Sequence, residues 1–108
     1  MRVKDLLKYD GFKGLAISDG EREIKGVYIG DLLSWVMGRL ECDNAWITIM
    51  SNVNVLAVAT LTDCACVILS ENVVPDDGVA ETAEKKGINL ISFKGSSYEA
   101  AVTLEKMI

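Results

Sequence analysis

Histidine is absent from this chain of 108 residues. That removes the commonest general base at neutral pH, the usual partner of a catalytic serine or cysteine, and the imidazole metal ligand. Cysteine is sparse, and Cys42, Cys64 and Cys66 make an odd set that does not form a disulfide framework. Proline occurs once, at Pro75, and no linker, repeat or low-complexity segment breaks the chain. No apolar run approaches the roughly 20 residues of a membrane span. The start "MRVKDLLKYD" lacks the apolar core of a signal peptide, so a cytoplasmic protein is expected. Positive charge is also short: 11 Lys and Arg stand against 16 Asp and Glu, a formal net charge of -5. That balance excludes non-specific binding to nucleic acid or to an anionic membrane, both of which need a dense cationic face.

What is present is a hydrophobic half, at 50% of residues. It suffices for one domain over residues 1–108, but a domain this small buries only a modest share of its unfolded surface. A chain of this kind gains by covering more area in an oligomer.

Short apolar runs alternate with helical patterns, the signature of βαβ units. Val3 to Lys8 reads as a short helix. Leu15 to Ser18 reads as a strand, and "EIKGVYI" as a second, the two forming a hairpin-like start or lying in different sheets. Asp31 to Leu40 reads as a helix with Asp31 as N-cap, its apolar face made of Leu32, Leu33, Val36, Met37 and Leu40. "AWITIM", "CACVILS" and "INLISF" are buried strands. Between them lie "SNVNVLAVATLTD", apolar on all sides, and a punctuated helix from Pro75 to Gly87. A last helix follows Ser96-Ser97, with Glu99 near capping-box spacing. Three consecutive strand–helix units predict a compact, largely parallel sheet flanked by helices, an α/β fold.

In such sheets ligands sit beyond the carboxyl ends of the strands. Ser51 and Asn52 are therefore candidate ligand-binding residues. Lys94, Gly95, Ser96 and Ser97 are the better anion candidate, a cation and permissive backbone before a helix N-terminus. The turn "KGVYIGD" matches neither nucleotide fingerprint, G-x-x-x-x-G-K-[ST] or G-x-G-x-x-G, and Asp31 brings its own negative charge to the helix start. Cys64 and Cys66 would share one face of a strand, yet no fourth ligand is at hand, and neither a metal nor a cofactor is expected. Asp31, Asp43, Asp63, Asp76 and Asp77 sit at element ends, where capping and turns explain them. Trp35 lies off the main stripe of its helix. With Val55 and Val58 of the over-apolar helix it is a candidate interface residue.

The segments "EREIKGVYIGDLLSWVMGRL" and "AWITIMSNVNVLAVATLTDCACVILSEN" resemble the DRTGG domain family over nearly the whole chain. The naming motif keeps Arg22 and Gly26, with Glu21, Lys25 and Val27 at its other positions, and Gly30 and Asp31 continue the pattern. The resemblance implies a fold similar to the N-terminal domain of HPr kinase, whose kinase chemistry belongs to a separate P-loop domain. It also implies a non-catalytic regulatory domain that pairs as a homodimer, and the leading expectation is a regulatory or interaction module that senses a small ligand, with an unidentified protein partner beside it. Two alternatives stand beside it: an adenine-nucleotide sensor using Ser51-Asn52 and Lys94–Ser97, and a small enzyme using Asp or Cys chemistry.

Overall fold

The computed structural model describes all 108 residues. In chain order it contains α1 (Val3–Leu6), β1 (Phe12–Ala16), β2 (Gly26–Ile29), α2 (Leu33–Arg39) and β3 (Asn44–Thr48). These are followed by α3 (Asn54–Thr62), β4 (Cys66–Leu69), α4 (Val79–Lys86), β5 (Leu90–Phe93) and α5 (Ser97–Glu105). One sheet of five strands runs in the order β1-β5-β4-β3-β2. Strands β2 to β5 are parallel, and β1 runs antiparallel to β5. The predicted α/β class and largely parallel sheet are present. The hairpin-like start is not, because β1 and β2 lie at opposite edges of one sheet.

Strand period sorts the core onto two faces. Trp46, Val67, Leu69 and Leu90 point to a cluster with Val36 of α2, Val55 and Leu56 of α3, and Val79 and Ala83 of α4. Ala45, Ile47, Cys66, Ile68 and Ile91 point to the other cluster, with Val3 and Leu6 of α1 and Ala100 and Leu104 of α5. Successive crossovers of one hand step along the sheet in one direction, so α2, α3 and α4 share a face. The chain then changes face after β5, and α5 closes the opposite side.

This layering corrects two sequence readings. Val55 and Val58 are 2% and 5% exposed, enclosed in the chain's own core, and so are not interface residues. The apolar helix is covered laterally, because α3 packs between α2 and α4. Cys64 and Cys66 do not share a face either: β4 begins only at Cys66, and the two thiols fall in separate clusters.

Helix boundaries follow local chemistry. Ser96 Oγ accepts from Glu99 N–H at 3.0 Å, and Glu99 Oε1 accepts from Ser96 N–H at 3.2 Å, a complete capping box on α5. Gly87, at φ 72°, ends α4 in the left-handed conformation that glycine adopts without steric cost.

Candidate functional site

The carboxyl ends of β2 to β5 form one rim of the sheet. Asp31 stands at its β2 end, but not as the N-cap expected: α2 starts after Leu32 without a side-chain cap. Asp31 Oδ1 instead accepts from Thr48 Oγ1 at 2.8 Å and from Ile49 N–H at 2.9 Å, tying β2 to the loop after β3. Next along, Ser51 Oγ donates to Asp76 Oδ1 at 2.9 Å, and Asn52 Oδ1 accepts from Asn54 N–H at 2.9 Å, in the turn that opens α3.

The connections diverge between β4 and β5, since α4 lies on one face and α5 on the other. A crevice at such a point is the usual place for a ligand. Here the chain fills it. Glu71 and Asn72, at φ 59° and 58°, fold the loop after β4 back over β5. Glu71 N–H donates to Gly95 C=O at 2.7 Å and Asn72 N–H to Phe93 C=O at 3.0 Å. Ser70 and Ser97 hydroxyls lie 2.6 Å apart. Glu71 Oε2 accepts from Ser97 N–H at 3.2 Å, so a carboxylate already occupies the helix N-terminus that an anion would seek. Lys94 Nζ is 3.2 Å from Asp10 Oδ2. Ser51-Asn52 and Lys94–Ser97 share the rim but flank β4 from either side, and none of the three cavities is lined by them. Glu71 was not singled out from the sequence; its signal was the "SEN" turn closing a buried strand.

The opposite end of the sheet explains the naming motif. Arg22 Nε and Nη2 donate to Asp43 Oδ1 at 3.2 and 2.9 Å, Nη1 donates to Asp63 Oδ1 at 2.9 Å, and Nη2 donates to the Asp63 carbonyl at 2.5 Å. Asp43 and Asp63 are the left-handed corners, φ 67° and 54°, from which β3 and the approach to β4 depart. A single planar fork thus fixes two turns at once, a geometry the point charge of lysine cannot copy. The Arg22 hydrogen bonds, with burial working against them, hold the Asp43 carboxyl below its ordinary range. Gly26 lies opposite Asn44, where an added Cβ would stand 2.7 Å from the Asn44 side-chain oxygen. The Gly30 carbonyl accepts from Trp46 Nε1 at 2.9 Å. Arg22, Gly26, Gly30 and Asp31 therefore all lie along the β2–β3 seam.

Beside this fork is a cavity of about 220 Å³ lined in part by Asp19, Arg22, Thr60, Asp63, Lys86 and Asn89. Its polar groups are largely engaged: Asn89 accepts from Ser18 and Asp19 N–H and donates to the Asp19 and Ala65 carbonyls, all at 2.9–3.0 Å.

The thiols are poor nucleophiles. Burial pushes Cys64 up to about 11 and Cys66 higher still, so both stay protonated at neutral pH. Partial desolvation and the Asp63 carboxylate, to which Cys42 Sγ donates at 3.5 Å, raise the exposed Cys42 as well. Trp35 is 56% exposed, with the Arg39 guanidinium 4.0 Å from its ring centre. No helix is long and apolar enough to cross a membrane.

No curated protein matches the chain. Among solved structures it is similar to the CBS and DRTGG domains of the regulatory region of Clostridium perfringens pyrophosphatase, in complex with its activator diadenosine tetraphosphate. The TM-score is 0.71 at 14% identity, over 94% of this chain and 44% of that one. The chain thus spans less than half of that structure, and the likeness is one of fold. The profile of the DRTGG domain matches residues 10–107, and with Arg22, Gly26, Gly30 and Asp31 placed along one seam, the chain belongs to the DRTGG domain family.

Proposed function

We propose that this chain is a non-catalytic regulatory module that acts as a homodimer and passes the binding of a small ligand or protein partner to whatever it accompanies. The observation that carries this reading is the state of its reactive groups. Aspartates 31, 43 and 63 are held in hydrogen bonds that join elements, and all three thiols have raised pKa values. Such a set suits a scaffold better than an acid–base or nucleophilic centre. The fold shared with part of a pyrophosphatase regulatory region supports the same reading.

A second reading, adenine-nucleotide sensing at the rim near Ser51-Asn52 and Lys94–Ser97, is favoured by the ligand of that neighbour, diadenosine tetraphosphate. Thermal unfolding with AMP, ADP, ATP and diadenosine tetraphosphate tests it. A ligand at 100 times its Kd adds about 2.7 kcal/mol of stability. An unchanged midpoint with all four removes the nucleotide reading. Light scattering on the eluting protein tests the dimer, and a monomer at tens of micromolar would remove it.

A further inference from the structure

The two edges of the sheet differ. The β1 edge is blunted by Lys13 and by an irregularity of register between Gly14 and Ala16, devices that stop a sheet from growing. The β2 edge has neither: Gly26-Val27-Tyr28-Ile29 contains no charge and no proline. Along it, an apolar groove of about 470 Å³ is bounded by Val27, Ile29, Tyr98 and Val102, with Ile29 49% and Tyr98 75% exposed.

The backbone phase of β2 is fixed by Gly30 N–H, which donates to Ile47 C=O at 3.2 Å in a parallel register of Ile29 with Ile47. Tyr28 accordingly turns its N–H and C=O toward β3, while Val27 and Ile29 turn theirs outward, unpaired. We propose that this edge pairs with the same edge of a second copy, antiparallel about a two-fold axis at Tyr28, to make one continuous ten-stranded sheet.

Register follows from two independent constraints. In an antiparallel ladder, directly opposed residues exchange both hydrogen bonds only when both point outward. Centring on Tyr28 opposes Val27 of each copy to Ile29 of the other, so all four outward residues are paired. Their side chains then meet on the α5 face, where the groove lies. The same centring opposes Lys25 to Asp31 of the other copy. Asp31 engages only Oδ1 within its own chain, which leaves Oδ2 for that lysine, whose contact in its own chain is a long, exposed ion pair with Asp43 Oδ2 at 3.7 Å. Centring on Val27 would instead oppose Glu23 to Asp31, two like charges, and centring on Ile29 would oppose Val27 to Asp31.

The inference rests on the homodimer reading above, and one set of measurements separates the two. Ile29→Lys puts a charge into the central apolar pair and should raise the dimer dissociation constant about tenfold or more. In a Cys42→Ser background, Tyr28→Cys places two thiols at the axis. Opposed residues there have Cα atoms about 4.5 Å apart, within disulfide reach, and mild oxidation should give a covalent dimer on a non-reducing gel. A monomeric parent protein overturns both readings. A dimer that is insensitive to Ile29→Lys and gives no Tyr28→Cys cross-link overturns the edge pairing and leaves the homodimer standing.

Discussion

Arg22 Nη1 meets Asp63 Oδ1 at 2.9 Å, although the two residues are separated by all of β2, α2, β3 and α3. The same guanidinium reaches Asp43 at 2.9 Å. The arginine of the naming motif is thereby a fastener for two left-handed corners rather than a free cation facing solvent.

Arg22→Ala should lower stability by about 1–2 kcal/mol, the range for charge-assisted hydrogen bonds discounted for partial exposure. Arg22→Lys should recover only part of this, because lysine keeps the charge and loses the fork. Urea denaturation of the three proteins measures it, and equal midpoints for arginine and alanine would discard the fastener.

Acid should act through Asp43. Its carboxyl lies below the ordinary 3.8 when folded, so the Arg22 contact stabilises fully above that value and is lost as pH falls through the folded pKa. Glu21, lowered by Lys4 and Arg2, acts in the same direction from 4.5 downward. Denaturation midpoints should therefore be level between pH 7 and 5 and drop below about pH 4. The drop should be shallower in Arg22→Ala; an identical acid slope in the two proteins counts against the coupling.

Asp31→Ala distinguishes a strand tie from a helix cap. Losing the bonds to Thr48 and Ile49 should cost about 1 kcal/mol. Helical circular dichroism should not change, because α2 takes no cap from this side chain. A selective loss of helical signal would restore the capping role.

Glu71→Gln removes the negative charge from the N-terminus of α5 while keeping a hydrogen-bond acceptor. The folded protein should lose about 0.3–1 kcal/mol, the worth of a carboxylate at a helix start. If phosphate-bearing ligands use this rim, their thermal shift should grow in the variant, since the competing carboxylate is gone. An unchanged shift would place Glu71 outside the ligand's path, and a smaller one would overturn the competition.

The sequence carried the parallel units well. "AWITI", "CVIL" and "INLISF" are short β-branched runs between helical patterns, and pattern of that kind survives any arrangement of the sheet. Edge order was not legible, because the pairing of Phe12 with Phe93 joins the first strand to the last, and no local signal states it. The interface reading of Val55 and Val58 failed for a related reason. An all-round apolar helix shows that cover is needed, and only the tertiary structure shows that α2 and α4 supply it. Ser51, Asn52 and Lys94–Ser97 were placed at the carboxyl rim of the sheet by rule, and they stand on that rim without lining a cavity. Asp43 and Asp63 were read as turn residues and are the left-handed corners, but their common partner Arg22 and the reach of Glu71 to the start of α5 were not legible, because those contacts join residues distant in sequence.

The stacked rings of Phe12 and Phe93, 4.1 Å apart at their centres, join the first strand made to the last. Parallel strands β2 to β5 can assemble in the order in which they leave the ribosome, each beside its predecessor. β1 cannot. It is synthesised before any of them and has no neighbour until β5 is complete, so during translation the earliest strand waits longest and closes the sheet last.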